Sequence, residues 1–221
     1  MAETICAIAT PTGIGGIAVI RISGPKAYGI AGRIFSKNLL HIDSHTAHFG
    51  LIKDRNVLVD EAVVTLFKGP NSFTGEDVVE ISCHGSVYIQ NKIIQLLLHN
   101  GATMAGPGEF TQRAFLNGKL DLSQAEAVAD LIHAQSTGAH ELAMKQLRGG
   151  FSKEIDLLRE ELINFASLIE LELDFSEEDV EFADRTQLTA LTEKISTYLK
   201  RLIDSFEMGN AIKQGVPVAI V

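Results

Sequence analysis

The sequence predicts an α+β protein in two parts, a mixed sheet-and-helix domain followed by an all-α helical bundle. Three observations predict it. Short β-branched runs bounded by glycine or proline alternate with helical runs as far as Gly118, apolar residues step by threes and fours beyond it, and the charge divides at the same place. Residues 1–118 hold nine basic and nine acidic side chains, whereas residues 119–221 hold ten basic and nineteen acidic, so the whole net charge of −9 lies in the second part. With 46% hydrophobic and 21% charged side chains over 221 residues, the chain has the material for a packed core and lacks a disordered composition.

Thr4–Ala9 and Gly16–Ser23 are β-branched, short and bounded by Gly or Pro, which predicts strands. Pro25 predicts a helix over Lys26–Phe35 with proline in its first turn, where the missing N–H costs nothing. Ala47–Ile52, Val57–Phe67 and Asp77–Cys83 read as further strands. Val87–His99 keeps a helical period and stops at Asn100-Gly101. The order suits an α+β domain and leaves a parallel α/β sheet as the alternative.

After Lys119 the pattern is helical. Ser123-Gln-Ala-Glu126 has capping-box spacing and predicts a long helix from there towards Leu147, broken by Gly149-Gly150. Phe151, Ile155, Leu158, Leu162, Phe165 and Ile169 form one seam of a second helix. Leu188, Leu191, Ile195, Leu199, Leu202 and Phe206 do the same for a third, over Arg185–Met208. Such stripes are core, not cofactor boxes. Between these helices Asp174–Glu181 is acidic but lacks the alternation and central glycine of a calcium loop, so it reads as a solvated turn. Gly215–Val221 is an apolar β-branched run that reads as a buried strand in need of partners, with a glycine-rich phosphate loop as one natural continuation.

Several chemistries are disfavoured. An acidic balance argues against RNA being gripped by a general basic surface, and leaves local patches, a further domain or a partner for any such contact. Cys6 and Cys83 are too few for a disulfide framework and read as buried thiols of a reducing compartment. No apolar run approaches the length of a membrane span, which suits a cytoplasmic protein. His41, His45 and His48 cluster in sequence without a cysteine pair to complete a zinc set, so no metal site is expected. Cys83 and His84 are adjacent on a strand and point oppositely, which rules against a nucleophile pair. Gly13, Gly15 and Gly16 match neither a dinucleotide fingerprint nor a Walker loop and read as a tight turn, as does Gly108.

Three long stretches are too specific to be filler: Ala9–Gly24 (ATPTGIGGIAVIRISG), Gly69–Gly85 (GPNSFTGEDVVEISCHG) and Pro107–Ile132 (PGEFTQRAFLNGKLDLSQAEAVADLI). Together they closely resemble the MnmE/TrmE family of tRNA-modification GTPases, and the resemblance runs over essentially the whole chain. It implies an N-terminal domain over 1–118 with the tetrahydrofolate-binding fold of aminomethyltransferases, forming a homodimer. It implies the first part of a helical domain over 119–214, and over 215–221 the first strand of a Ras-like G domain that this chain lacks. In the family, the GTPase works with the flavoprotein MnmG/GidA to place a carboxymethylaminomethyl-type group on carbon 5 of the tRNA wobble uridine. The one-carbon donor is 5-formyltetrahydrofolate, and GTP hydrolysis needs Mg and potassium. No catalytic residue of GTP hydrolysis maps onto this chain, but the folate contacts map onto Arg21, Glu80 and Lys119.

Each of the three has a plainer reading. Glu80 can accept from adjacent pterin donors, or be a solvated edge-strand carboxylate. Arg21 interrupts the apolar run Ile17–Ile22 and must be paired, with a folate or with a carboxylate such as Glu109. Lys119 can reach a folate glutamate tail or ring substituent, or simply face water. The functional alternatives are a folate-binding dimerisation scaffold without chemistry, and a stand-alone aminomethyltransferase-like enzyme.

Overall fold

The computed structural model describes residues 3–174, 185–204 and 209. The chain forms two compact units, Met1–Leu120 and Asp121–Val221. The first contains β1 (Ile5–Ile8), β2 (Gly15–Ser23), α1 (Ala27–Ile34), β3 (Thr46–Asp54), β4 (Val57–Phe67), β5 (Val78–Gly85), α2 (Val87–His99), β6 (Thr103–Met104) and α3 (Glu109–Leu116). The strands make one sheet in the order β3-β4-β5-β2-β1-β6. Every pairing is antiparallel except β1 with β6, so the parallel alternative falls and the α+β reading stands.

Alternation along the strands decides which face is covered. Ala18, Ile20 and Ile22 of β2, Ala62, Val64 and Leu66 of β4, and Ile81 and Cys83 of β5 are buried in one cluster. Ala27, Ile30, Ala31 and Ile34 of α1 and Ile93, Ile94, Leu96 and Leu97 of α2 complete that core, each set repeating at three to four residues. Their alternating neighbours, among them Val19, Arg21, Glu80, Ser82 and His84, are half-buried or exposed. Gly85 is needed where β5 meets β2, because a Cβ there would collide with the backbone carbonyl of Gly15.

Several expectations shift. Pro25 lies in the turn before the α1 N-cap Lys26, outside the helix. The strand bearing Glu80 is no edge: β5 pairs with β4 on one side and β2 on the other. The short β6 and α3 carry too few residues for a periodic signal and were not expected; α3 starts from Gly108, whose φ of +71° suits the turn expected there.

In the second unit the expected long helix is two, α4 (Leu122–His133) and α5 (Thr137–Leu147). Asp121, not Ser123, caps α4. Its carboxylate accepts from the Gln124 N–H at 2.8 Å while the Gln124 side chain accepts from the Asp121 N–H at 2.9 Å. Ala134 is extended and Ser136 caps α5, which ends the helical ladder between them. Gln124 and Gln146 reach across to Leu147 and Ser123 and tie α4 to α5. After the break at Gly149 come α6 (Gly150–Asp174) and α7 (Arg185–Asp204), linked by Lys194 and Glu161 at 2.7 Å. The acidic stretch from 175 to 181, the end of the third predicted helix at 205–208 and the terminal run 215–221 lie outside the described residues.

Candidate functional site

Arg21 and Glu80 stand opposite each other in the β2–β5 ladder, both on the face away from α1 and α2. The Arg21 Nε–H donates to Glu80 Oε1 at 2.8 Å, and an Nη2 hydrogen meets the same oxygen at 2.7 Å. Oε2 of Glu80 accepts no hydrogen bond from a protein donor among the described residues. The two side chains are 26% and 24% exposed, so the pair is sheltered but reachable. The guanidinium carbon lies 5.3 Å from the Phe73 ring centroid and 5.6 Å from that of Phe110, within cation–π range of both. Arg21 therefore pairs with Glu80, not with Glu109, and Glu80 is not a lone solvated carboxylate.

Phe73 is placed by the 68–77 loop, which the first unit holds through a polar network. The buried Thr74 hydroxyl hydrogen-bonds with the Ser23 hydroxyl at 2.7 Å, and Asn117 Nδ2 donates to the Thr74 carbonyl at 2.7 Å. The Gly69 N–H donates to Asp77 Oδ1 at 3.0 Å across the loop's neck. Gly75 has φ +78°, and its bare α-carbon lets the Lys119 stem pack close, since a Cβ would stand 3.2 Å from Lys119 Cγ. Lys119 is fixed in turn by its N–H to the Ala114 carbonyl at 2.8 Å. It borders an open hollow of about 560 Å³ with His45, Phe67, Asn71, Ser72 and Phe73.

The three expected residues are thus joined unequally. Arg21 and Glu80 touch; among the described residues no hydrogen bond or ion pair joins Lys119 to either, and Phe73 borders both Arg21 and the hollow that Lys119 lines. Phe73 and Phe110 were missed as site residues, although both lie inside the quoted stretches Gly69–Gly85 and Pro107–Ile132. Their signal was an aromatic within a specific polar loop, which becomes meaningful only once Arg21 is seen beside it.

Arg113 of α3 ties the supports together. Its Nη1 donates to Glu76 at 3.1 Å and to the Glu3 carbonyl at 2.7 Å, and its Nη2 to Glu109 at 2.8 Å. Burial works against its charge, but hydrogen bonds to Glu109 and Glu76 outweigh that and raise its pKa. The Gly106 N–H, followed by Arg113, holds the Glu109 carboxyl below its ordinary value against a smaller opposing effect of burial. Elsewhere burial pushes the Cys6 and Cys83 thiols up to about 11, so both are protonated core residues. Cys83 faces inward and donates to the Ala18 carbonyl, while the His84 ring faces out and meets Asp60 at 2.6 Å.

Chemically, the arrangement offers a carboxylate held through one oxygen with the other free of protein donors among the described residues, its guanidinium partner flanked by two aromatic rings. It suits a planar ligand with adjacent N–H donors. A mostly antiparallel sheet with helices on one face, a charged pair flanked by aromatic rings on the other, and a helical unit after it in sequence define the class: an α+β domain with an α-helical extension.

Residues 4–119 match the family described as the N-terminus of the GTP-binding protein TrmE, and residues 122–217 match the MnmE helical domain. The chain belongs to the TrmE/MnmE family. It is 63% identical over 223 residues to a protein of Flavobacterium johnsoniae named tRNA modification GTPase MnmE, across 99% of this chain and 48% of that protein. Proteins of the same name from Cytophaga hutchinsonii and Bacteroides fragilis are 60% and 58% identical, each over 99% of this chain and 48% of their own length. The chain spans about half the length of the curated relatives it matches.

Proposed function

We propose that this chain is the folate-binding, dimer-forming part and much of the helical part of a tRNA-modifying GTPase. Residues 1–118 form the folate domain, 119–214 the first portion of the helical domain, and 215–221 the first strand of the G domain. The ligand is 5-formyltetrahydrofolate. When bound, it supplies the one-carbon unit for the group placed on carbon 5 of the tRNA wobble uridine. GTP, Mg and potassium belong to the G domain of the whole protein, which works as a homodimer with the flavoprotein MnmG/GidA in the cytoplasm. No helix among the described residues is long and apolar enough to cross a membrane.

What supports the folate reading is the Arg21–Glu80 pair beside Phe73 and Phe110. A pterin presents a ring N–H and an amino group side by side, and the open oxygen of Glu80 accepts from that edge. Arg21 fixes the carboxylate so that little rotamer freedom remains to be lost on binding. The aromatic rings cover the ligand's face, and Lys119 meets an anionic or carbonyl group farther along it.

Calorimetric titration of 5-formyltetrahydrofolate into the chain tests this. Glu80→Gln weakens binding by at least about tenfold, the loss expected for a charge-assisted hydrogen bond. Arg21→Ala weakens it comparably and Lys119→Ala less, with circular dichroism checking the fold of each. Unchanged affinity in all three variants removes the site.

A further inference from the structure

On the helix-covered side of the first unit, away from Arg21 and Glu80, lies a cleft of about 820 Å³ between the end of α1, the β3–β4 hairpin and the second half of α2. Arg33, Lys53, Arg55, Lys92 and His99 line it, with Asp54 as the sole carboxylate among its lining residues. Four of the nine lysines and arginines of residues 1–118 thus meet one of its nine acidic residues, in a chain whose net charge is −9. A hydrogen bond from Lys92 at 2.7 Å, with Arg55 and His99 adding to it, holds the Asp54 carboxyl below its ordinary value. That one carboxylate offsets one of the cations; Lys53 and Arg55 are left exposed without an ion-pair partner among the described residues.

The hairpin is built to present them. The β3–β4 register shifts between Ile52 and Lys53, a bulge that re-aims the side chain after it. Arg55 then takes a φ of +55°, which costs a non-glycine residue about 1 kcal/mol or more. Nor are the cations needed to satisfy the end of α2. The carbonyls of Leu96, Leu97 and Leu98 accept from the backbone N–H groups of Asn100, Gly101 and Ala102, leaving only Arg33 to donate to the Asn100 carbonyl. Lys92 and His99 stand two helical turns apart, about 10 Å along α2, so the charged surface is longer than one phosphate. Among the lining residues Ile34 and Leu96 are buried, which leaves Val57 as the exposed apolar one, too little to anchor a protein partner.

We propose that this cleft is a docking surface for the sugar–phosphate backbone of RNA, with Lys53 and Arg55 as its principal phosphate contacts. Arginine forks and lysine point charges suit phosphates without reading sequence. The surface is independent of the folate site.

Fluorescence anisotropy of a labelled, unmodified tRNA transcript against the chain, over a salt series, tests it. Arg55→Gly removes a cation and relieves the positive φ, so the variant is at least as stable as the parent. Combined with Lys53→Glu it weakens binding at least about tenfold near 0.1 M salt and lowers the log–log salt slope by about 2. Lys26→Glu, at the opposite end of α1, leaves both unchanged, and folate affinity is the same in all of these variants. Four results overturn the proposal: no tRNA binding by the parent chain, the same affinity and slope in the double variant, displacement by pyrophosphate at matched ionic strength, or equal affinity for poly-glutamate.

Discussion

The two units bury their apolar residues to different degrees. In the first, Ile20, Ile22, Val64, Ile81, Ile93 and Leu97 are sealed between sheet and helices at 0% exposure. In the second, the buried hydrophobics among the described residues are Ala127, Ala139, Ala143 and Phe165, while the seam residues Ile155, Leu162 and Leu199 are 51%, 41% and 51% exposed. Both parts have clean apolar periodicity, so periodicity alone does not make a core. A sheet offers each helix a broad facing surface, whereas the seams of α6 and α7 meet less than their own width of partner among the described residues.

Truncation at matched leucines breaks or sharpens this contrast most. Leu97→Ala leaves a cavity in the first unit and costs about 2–5 kcal/mol, while truncation of the half-exposed seam residue Leu199 to Ala stays within about 0.5 kcal/mol. Urea unfolding resolved by hydrogen exchange in each unit measures both. A comparable loss at Leu199 means that the seam is packed in solution and the contrast fails.

A smaller effect is expected where the second unit does invest in local order. Asp121→Ala removes the carboxylate side of the α4 capping box and costs about 1 kcal/mol, seen as faster exchange of the Gln124 amide. Ser123→Ala leaves that amide unchanged, because Ser123 is inside the helix.

That pair of residues also shows how far the sequence could be read. Asp121-Leu-Ser-Gln124 and Ser123-Gln-Ala-Glu126 are overlapping caps of the same spacing. The earlier one wins because α3 ends at Asn117 and Gly118 turns the chain with φ +68°, so α4 begins sooner, a fact set by tertiary geometry. The bounds of α2 were readable to the residue, since a helical period and a strong stop signal agree there. The partner of Arg21 was not readable. Glu80 and Glu109 were equal on charge, and only the β2–β5 register puts Glu80 opposite. Family motifs pointed to Arg21, Glu80 and Lys119, but Phe73 reaches Arg21 from a loop whose course depends on the Ser23, Thr74 and Asn117 contacts far apart in sequence, and Phe110 reaches it from α3.

The least effect concerns how the site's support responds to acid, a property the first unit has through Glu109. Its carboxylate accepts from the Gly106 N–H at 2.8 Å and from Arg113, so its folded pKa lies below the ordinary 4.5. A depressed folded pKa means the unfolded chain takes up the proton first as pH falls. The stabilisation is therefore complete above about 4.5 and is lost as pH drops through the lower folded value. Glu109→Gln cannot ionise, so the first unit's stability becomes flatter in that acid window, and at neutral pH it is lower by roughly 0.5 kcal/mol, as for a partly exposed ion pair. Urea midpoints of parent and variant, followed from neutral pH to below 4.5, converge as the acid is approached. A constant gap across the range would mean that Glu109 acts through packing, and that the Glu76–Arg113 contact supports the site without it.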